Sequence, residues 1–218
     1  MVSTVALVAL APLMLTIAIL LRFTGEGEIL FKQKRIGKAC KTFYLIKFAT
    51  MLKNSASVGA GEVTLTNDPR VLPVGRLLRK SKLNELPQLI NILKGDMSLI
   101  GYRPQTQKYW NCFTKAQQEI LSNHRPGLSG VSSILLRDEE SYLERFADPI
   151  FADENLLMPF KGQVEKWYAE NASFSTYIQL ILMTVVKIIA PKLNSYLFMS
   201  EQMAFFQKEL DDIVNSNV

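Results

Sequence analysis

The residues between Arg76 and Pro104 are of the types that handle phosphate. Arg76, Arg79, Lys80 and Lys82 come first, the pair Asn84-Glu85 follows, and Arg103 closes the stretch. A planar arginine fork binds two phosphate oxygens at once. A carboxylate among converging cations, at the free amides of a helix start, makes a site for a phosphate and its metal. The competing reading is a solvated basic segment ahead of an ordinary amphipathic helix.

The helix that must position this pair has legible ends. Asn84 is a good N-cap, because its side-chain oxygen can accept from a first-turn amide. Glu85 places negative charge at the positive end of the helix dipole. Pro87 fits the first turn, where its missing N–H has no intrahelical partner. Leu86, Leu89, Ile90 and Leu93 follow helical spacing and give one apolar face. Lys94 suits the last turn and Gly95 is a natural stop. Asp96 then reads as a structural turn residue.

Other elements frame this stretch. Residues 29–31 and 42–48 have β composition with Gly37 between them, which predicts a hairpin-like pair. Lys47 lies on its second arm and, by residue type alone, is equally a surface cation. Residues 52–70 read as a loop, whose Gly59 and Gly61 lack the Gly-Lys-Ser/Thr of a phosphate loop. Thr114 and Gln117 form a capping box that opens a helix to about residue 123, and Arg125-Pro126-Gly127 stops it. Asp138-Glu139-Glu140 opens a helix over 138–146, where the helix dipole explains the acidic cluster without a metal. A helix follows over 159–170. The apolar run 174–190, with Lys187 inside it, reads as an interfacial helix lying on a bilayer or as a core helix. Residues 192–218 are polar and only sparsely amphipathic.

Composition sets the surroundings. The 218 residues carry 25 Lys and Arg against 20 Asp and Glu, a net charge of +5, which favours anionic partners. Cys40 and Cys112 have no metal or disulfide spacing and fit a reducing compartment. The single His124 argues against a His-based triad or multi-His metal site. Residues 1–21 carry no charge and approach the about 20 apolar residues that cross a bilayer. They lack the basic start and cleavage site of a signal peptide. Pro12, at the middle, predicts a kink. Arg22, Lys32, Lys34, Arg35, Lys38, Lys41, Lys47 and Lys53 follow, against Glu26 and Glu28. Positive charge beside an apolar segment marks the cytoplasmic side and attracts anionic headgroups.

The segment RKSKLNELPQLINILKGDMSLIGYRP, residues 79–104, resembles the signature of the bacterial sugar transferases, the monotopic phosphoglycosyl transferases. LFKQKRIGKACKTFYLIKFATM, residues 30–51, is similar to that family's upstream block, and RPGLSG, residues 125–130, to its downstream block. Family members pass a phosphosugar from a nucleotide diphosphosugar to a polyprenyl phosphate at the membrane. The resemblance implies a re-entrant rather than spanning N-terminal helix, which the apolar segment alone would not favour. It also implies Mg²⁺ held with the help of Glu85, and phosphate binding by Arg79, Arg103 and Lys47. In the family an Asp at the position of Asn84 attacks phosphorus and forms a covalent intermediate. An amide carries no charge and its nitrogen is delocalised, so Asn84 cannot do this. Glu85 or the lipid phosphate itself would then have to attack. The chain also departs from the family pattern at Ala49, Tyr102 and Val131, where Arg, Pro and an aromatic are usual.

The expectation is therefore an α+β, mostly helical protein in three parts. Residues 1–22 form a membrane-embedded, re-entrant helix kinked at Pro12. Residues 23–191 form a small cytosolic catalytic domain with interfacial amphipathic helices, and 192–218 a C-terminal tail. The catalytic pair is Asn84 and Glu85. The expected partners are a UDP-sugar, undecaprenyl phosphate and membrane lipid, without nucleic acid, and a homodimer is left open. The expected place is the bacterial inner membrane, with the domain on its cytoplasmic face, starting exopolysaccharide or glycoconjugate assembly. The alternatives are an impaired homologue that binds lipid or a partner protein, for which Asn84 speaks, and a basic nucleic-acid binder. The last has charge in its favour but no recognition motif.

Overall fold

The computed structural model describes residues 2–59, 61–190 and 200–217. It is mostly helical with two small two-stranded sheets, in agreement with the expected class. The boundary placed at residue 191 lies outside the described residues.

Helix α1 (Val2–Arg22) runs without a break through Pro12. At 1.5 Å per residue it is about 30 Å long, and by length and composition it can cross a membrane. Proline leaves a carbonyl of the preceding turn without its donor; four residues on, the Thr16 hydroxyl donates to the Pro12 carbonyl at 2.9 Å. The apolar contacts of α1 with the core lie in its C-terminal half. Ile17 and Leu21 are buried against Phe48 and Leu78, with Leu83 and Leu86 beside them. Val5, Val8 and Leu15 stay exposed.

Strands β1 (Leu30–Ile36) and β2 (Thr42–Phe48) pair antiparallel from Leu30↔Phe48 to Ile36↔Thr42. The hairpin was legible, and Gly37 sits at its turn, donating its N–H to the Lys41 carbonyl at 2.8 Å. Helix α2 (Pro73–Lys80) opens on a proline, and α3 (Gln88–Lys94) ends on Gly95 at φ +83°, as expected.

Asn84 does not cap α3. Leu83–Glu85 form a separate 3₁₀ turn that follows Lys82 at φ +59°, and no side chain caps α3, which begins after Pro87. The cause is local. Pro87 has no N–H for the Leu83 carbonyl, which accepts from Leu86 N–H at 3.2 Å instead. The chain therefore tightens to i→i+3 bonding across the pair. Asn91 ties α3 to the hairpin: its Oδ1 accepts from Ile46 N–H at 3.1 Å and its Nδ2 donates to the Tyr44 carbonyl at 2.8 Å. Asp96 accepts from the same amide at 3.3 Å, the structural role read for it.

A parallel pair that the sequence did not disclose joins β3 (Ser98–Ile100) to β4 (Gly127–Ser129). Between them in sequence lie α4 (Gln107–Trp110) and α5 (Lys115–Ser122), the latter opened by the expected Thr114/Gln117 box. Glycine is required where these strands meet. A Cβ on Gly101 would lie 2.5 Å from the Arg125 carbonyl oxygen, and one on Gly130 would lie 2.2 Å from that of Gly101.

The remaining helices are α6 (Val131–Leu135), α7 (Glu139–Leu143), α8 (Pro149–Ala152), α9 (Met158–Asn171), α10 (Phe174–Ile189) and α11 (Glu201–Ser216). A π turn over Asp153–Leu157 joins α8 to α9. Val131, Leu157, Val164, Leu180, Met183, Met203 and Leu210 share one core. The sparsely amphipathic tail thus contains a core helix: Met203, Phe206, Leu210 and Val214 of α11 are all buried. Helix α10 buries Leu180 and Met183 but exposes Phe174, Ile178, Leu182 and Val185. The loop 52–70 is organised by Arg70, only 4% exposed. Its guanidinium donates to the carbonyls of Ser55, Val58, Gly61 and Val63 and to the Asp68 carboxylate.

Candidate active site

Four elements deliver one cluster of charge. The 3₁₀ turn brings Asn84 and Glu85, β2 brings Lys47, β1 brings Arg35, and the segment after β3 brings Arg103. Arg35, Lys47, Gln88 and Arg103 line a small cleft with Leu45 and Pro104. A larger cavity of about 530 Å³ lies among α5, α9 and α11, lined by Gln117, Phe160, Gln163 and Ile213. It is remote from these charges, so size does not mark the chemistry here.

Glu85 is the anion of the cluster. Its Oε1 lies 3.6 Å from an Arg103 guanidinium nitrogen, and Gln88 Nε2 donates to its Oε2 at 3.2 Å. Burial pushes its carboxyl up, but Arg103, Lys47 and Lys82 outweigh burial and hold it down at about 2. Burial pushes the Lys47 ammonium down, and Arg103, Arg35 and Arg79 add to that against Glu85, leaving it at about 7. Arg35 is likewise held down, at about 10, by burial and then by Arg103. Arg35 donates to the Pro104 carbonyl at 3.2 Å and to Gln33 Oε1 at 2.6 Å. Among the described residues, Arg35 Nε and Asn84 Oδ1 are buried with no hydrogen-bond partner. Among the described residues the Lys47 ammonium makes no ion pair or hydrogen bond.

The structure brings Lys47, Glu85 and Arg103 together and sets Arg79 to one side. Arg79 donates to Glu140 Oε1 at 2.5 Å and leans on Met51 sulfur. Glu140 was read as a helix-dipole residue and does lie in the first turn of α7, where it also serves as the counter-ion of Arg79. Its neighbour Glu139 pairs with the buried Lys161, which also lies 3.3 Å from Asp153. Cations from other elements, rather than the dipole alone, account for that acidic cluster.

Sequence reasoning missed Arg35 and Glu165. Glu165, on α9, is 2% exposed. Its Oε1 accepts from the Ser132 hydroxyl and, at 3.4 Å, from the Arg103 backbone N–H. A signal was present: Glu165 falls among the apolar positions Phe160, Val164 and Tyr168 of one helix face. Arg35 was hidden in a run of exposed lysines. Tyr102, where a proline was expected, is 2% exposed and packs on Trp110 at 5.9 Å between ring centres, so the aromatic serves the core.

Groups fitted to phosphate oxygens dominate this cleft, and a single ionised carboxylate suits a divalent cation that phosphate also binds. Among the described residues no group of three or more His, Cys, Asp or Glu gathers into a metal site. Any ion here would draw its other oxygens from substrate or from amide carbonyls such as Asn84 Oδ1.

A sequence model described as "Bacterial sugar transferase" matches residues 1–191. The chain is 38% identical over 135 residues to the UDP-N-acetylgalactosamine-undecaprenyl-phosphate N-acetylgalactosaminephosphotransferase of Aeromonas hydrophila, covering 61% of this chain and 32% of that protein. It is 37% identical over 161 residues to the exopolysaccharide production protein ExoY of Sinorhizobium fredii, covering 67% of this chain and 71% of that one. It is 37% identical over 137 residues to the undecaprenyl-phosphate glucose phosphotransferase of Komagataeibacter xylinus, covering 61% and 26%. The chain therefore spans about a third or less of the length of two of these relatives.

Proposed function

The chain belongs to the bacterial sugar transferase family, and from that membership we propose that it moves a phosphosugar from a UDP-sugar to undecaprenyl phosphate. The nucleoside monophosphate leaves, and the lipid-linked sugar starts an exopolysaccharide or glycoconjugate. One observation carries this reading: Arg103 pairs with a single carboxylate, Glu85, and the charges of Lys47, Lys82 and Arg35 act on it as well. Such a site has an excess of positive charge that a diphosphate and a lipid phosphate would neutralise.

Each residue then has a task. Arg103 and Arg35 hold phosphate oxygens, and Glu85 keeps Arg103 aimed. Glu85, with the unpartnered Asn84 carbonyl oxygen next to it, would hold Mg²⁺. That ion, when bound, neutralises charge on the diphosphate and the leaving phosphate. In-line displacement at phosphorus depends mainly on such positioning and charge neutralisation.

The membrane supplies the acceptor. Leu83 and Leu86 flank the Asn84-Glu85 pair and pack beside Ile17 and Leu21 of α1, so an α1 embedded in the bilayer would hold the pair near the headgroups. The exposed stripe Phe174, Ile178, Leu182 and Val185 of α10 suits an interfacial position. In this proposal α1 is re-entrant and the arrangement monotopic at the inner membrane. The basic residues after Arg22 face cytoplasmic headgroups.

The test is UMP release from a panel of UDP-sugars by purified protein in detergent with Mg²⁺ and undecaprenyl phosphate. Release that Glu85→Ala abolishes is expected. A silent parent beside an active Asn84→Asp would favour the impaired homologue that binds lipid or a partner. Silence from every variant would reject the transferase.

A further inference from the structure

An amide at position 84 leaves the cleft without an oxyanion nucleophile there, and the other side chains of the site differ sharply in what they can do. Glu85 is ionised, but Arg103 and Gln88 both engage it, and the cations around it hold its carboxyl at about 2. A carboxylate so stabilised is a poor donor of electrons. Arginines do not attack. Lys82 is exposed and does not line the cleft, and its charge helps to hold Glu85 ionised. Lys47 is different in each respect. It rises from β2 on the face opposite the buried Ile46 and Phe48 and is itself half-buried. Its side chain lines the cleft together with Arg35, Gln88 and Arg103. It has neither an ion pair nor a hydrogen bond among the described residues.

We infer that Lys47 Nζ, unpaired in the cleft beside an amide that cannot attack, is the covalent nucleophile of the proposed transfer and forms a phosphoramidate with the sugar-bearing phosphorus. This rests on the transferase reading above. An amine desolvated among other cations is an activated nucleophile. Burial and the neighbouring Arg103, Arg35 and Arg79, opposed by Glu85, leave Lys47 at about 7, so much of it is uncharged near neutral pH.

The step balances without a co-reactant. The neutral amine attacks the phosphorus that carries the sugar. The bond from that phosphorus to the bridging oxygen breaks, and the nucleoside monophosphate leaves with the electron pair. The amine gives up one proton to solvent as the N–P bond forms. An oxygen of undecaprenyl phosphate then attacks the same phosphorus, the N–P bond breaks, and the nitrogen takes back a proton. Two in-line displacements leave the configuration at phosphorus unchanged, whereas direct attack by the lipid would invert it.

The experiment is a trapping assay on the full chain in detergent. UDP-glucose, UDP-galactose and the UDP-N-acetylhexosamines, labelled in the sugar, are mixed with Mg²⁺ and no lipid acceptor, and the protein is denatured in alkali. The expected label survives alkali and hydroxylamine and is lost in dilute acid, as a phosphoramidate is. The peptide containing Lys47 should carry the mass of the phosphosugar. Lys47→Arg keeps the cation and should lose the label while still binding UDP. A label that hydroxylamine removes would place the bond on a carboxylate and overturn the inference. So would UMP release that requires undecaprenyl phosphate and leaves no label at any stage. No release from any donor, with or without acceptor, fails the transferase reading and the inference with it.

Discussion

Glu165 holds the backbone of Arg103 while the side chain of Arg103 faces Glu85. The Glu165 carboxylate accepts from Arg103 N–H at 3.4 Å, and the guanidinium lies 3.6 Å from Glu85. A buried acid on α9 is thereby linked to the anion of the cleft through a single residue.

Burial pushes the Glu165 carboxyl up to about 7, against the hydrogen bonds from Ser132 and Arg103. A folded-state value above the ordinary 4.5 means that this group's contribution to stability is full below about pH 4.5 and is lost as pH rises to about 7. Glu165→Gln removes the titration and keeps an acceptor for both donors. The variant should be more stable than the parent above pH 7, by about 1–3 kcal/mol, and equal to it near pH 5. Denaturant melts across that window would show it. A parent that gains stability between pH 5 and 7, relative to the variant, would contradict the assignment.

Glu85 behaves in the opposite sense. Its folded value of about 2 lies below the ordinary 4.5, so its contribution is present above about pH 4.5 and is lost as pH falls toward 2. Glu85→Gln leaves Arg103, Lys47 and Lys82 facing one another and should cost about 1–3 kcal/mol at neutral pH. Inorganic pyrophosphate, which supplies the missing negative charge, should raise the melting temperature of this variant more than that of the parent. An equal shift in both would mean that the cations do not converge on an anion site.

Much of this was legible from the sequence because it rests on local chemistry. The capping box at Thr114, the stop at Gly95 and the hairpin around Gly37 each need only a few adjacent residues. Asn84 as a cap was misjudged because Pro87 acts over the same few residues, and its missing N–H reshaped the turn. The β3–β4 pair joins Ser98 to Gly127, and strands of three residues carry no usable alternation. Glu139 and Glu140 found Lys161 and Arg79 only through tertiary packing. The α11 stripe of Met203, Phe206, Leu210 and Val214 was diluted by polar neighbours, and only its contact with α6 and α9 makes it core. In the site, Glu85 and Arg103 were read from residue type and resemblance. The isolation of Lys47 belongs to the folded geometry alone, whereas the burial of Glu165 was signalled by its apolar helix face and went unread.

Arg70 offers a test of the loop. Its guanidinium is the common donor to Ser55, Val58, Gly61 and Val63, with Asp68 as counter-ion at 2.6 Å. A lysine has one nitrogen and cannot reach four carbonyls in a plane. Arg70→Lys should therefore cost about 3 kcal/mol and open residues 52–70 to proteolysis, with cleavage appearing there before global unfolding. A loop as resistant as that of the parent would show that Arg70 is not its organiser.

Arg79 is the expected phosphate ligand that the structure finds engaged elsewhere. Its pair with Glu140 at 2.5 Å is partly open to solvent on both sides, with side chains 26% and 42% exposed. A pair of that kind contributes less than about 1 kcal/mol, so Glu140→Gln should leave stability nearly unchanged. It should, however, release a guanidinium beside the cleft. UDP-sugar binding is then expected to tighten several-fold, with a steeper dependence on salt because the gain is coulombic. A double-mutant cycle separates this from an indirect effect. Arg79→Gln should weaken donor binding strongly in the Glu140→Gln background and only slightly in the parent. Equal weakening in both backgrounds would mean that Arg79 already reaches the donor while paired, and the pair would then be a support for phosphate binding rather than a restraint on it.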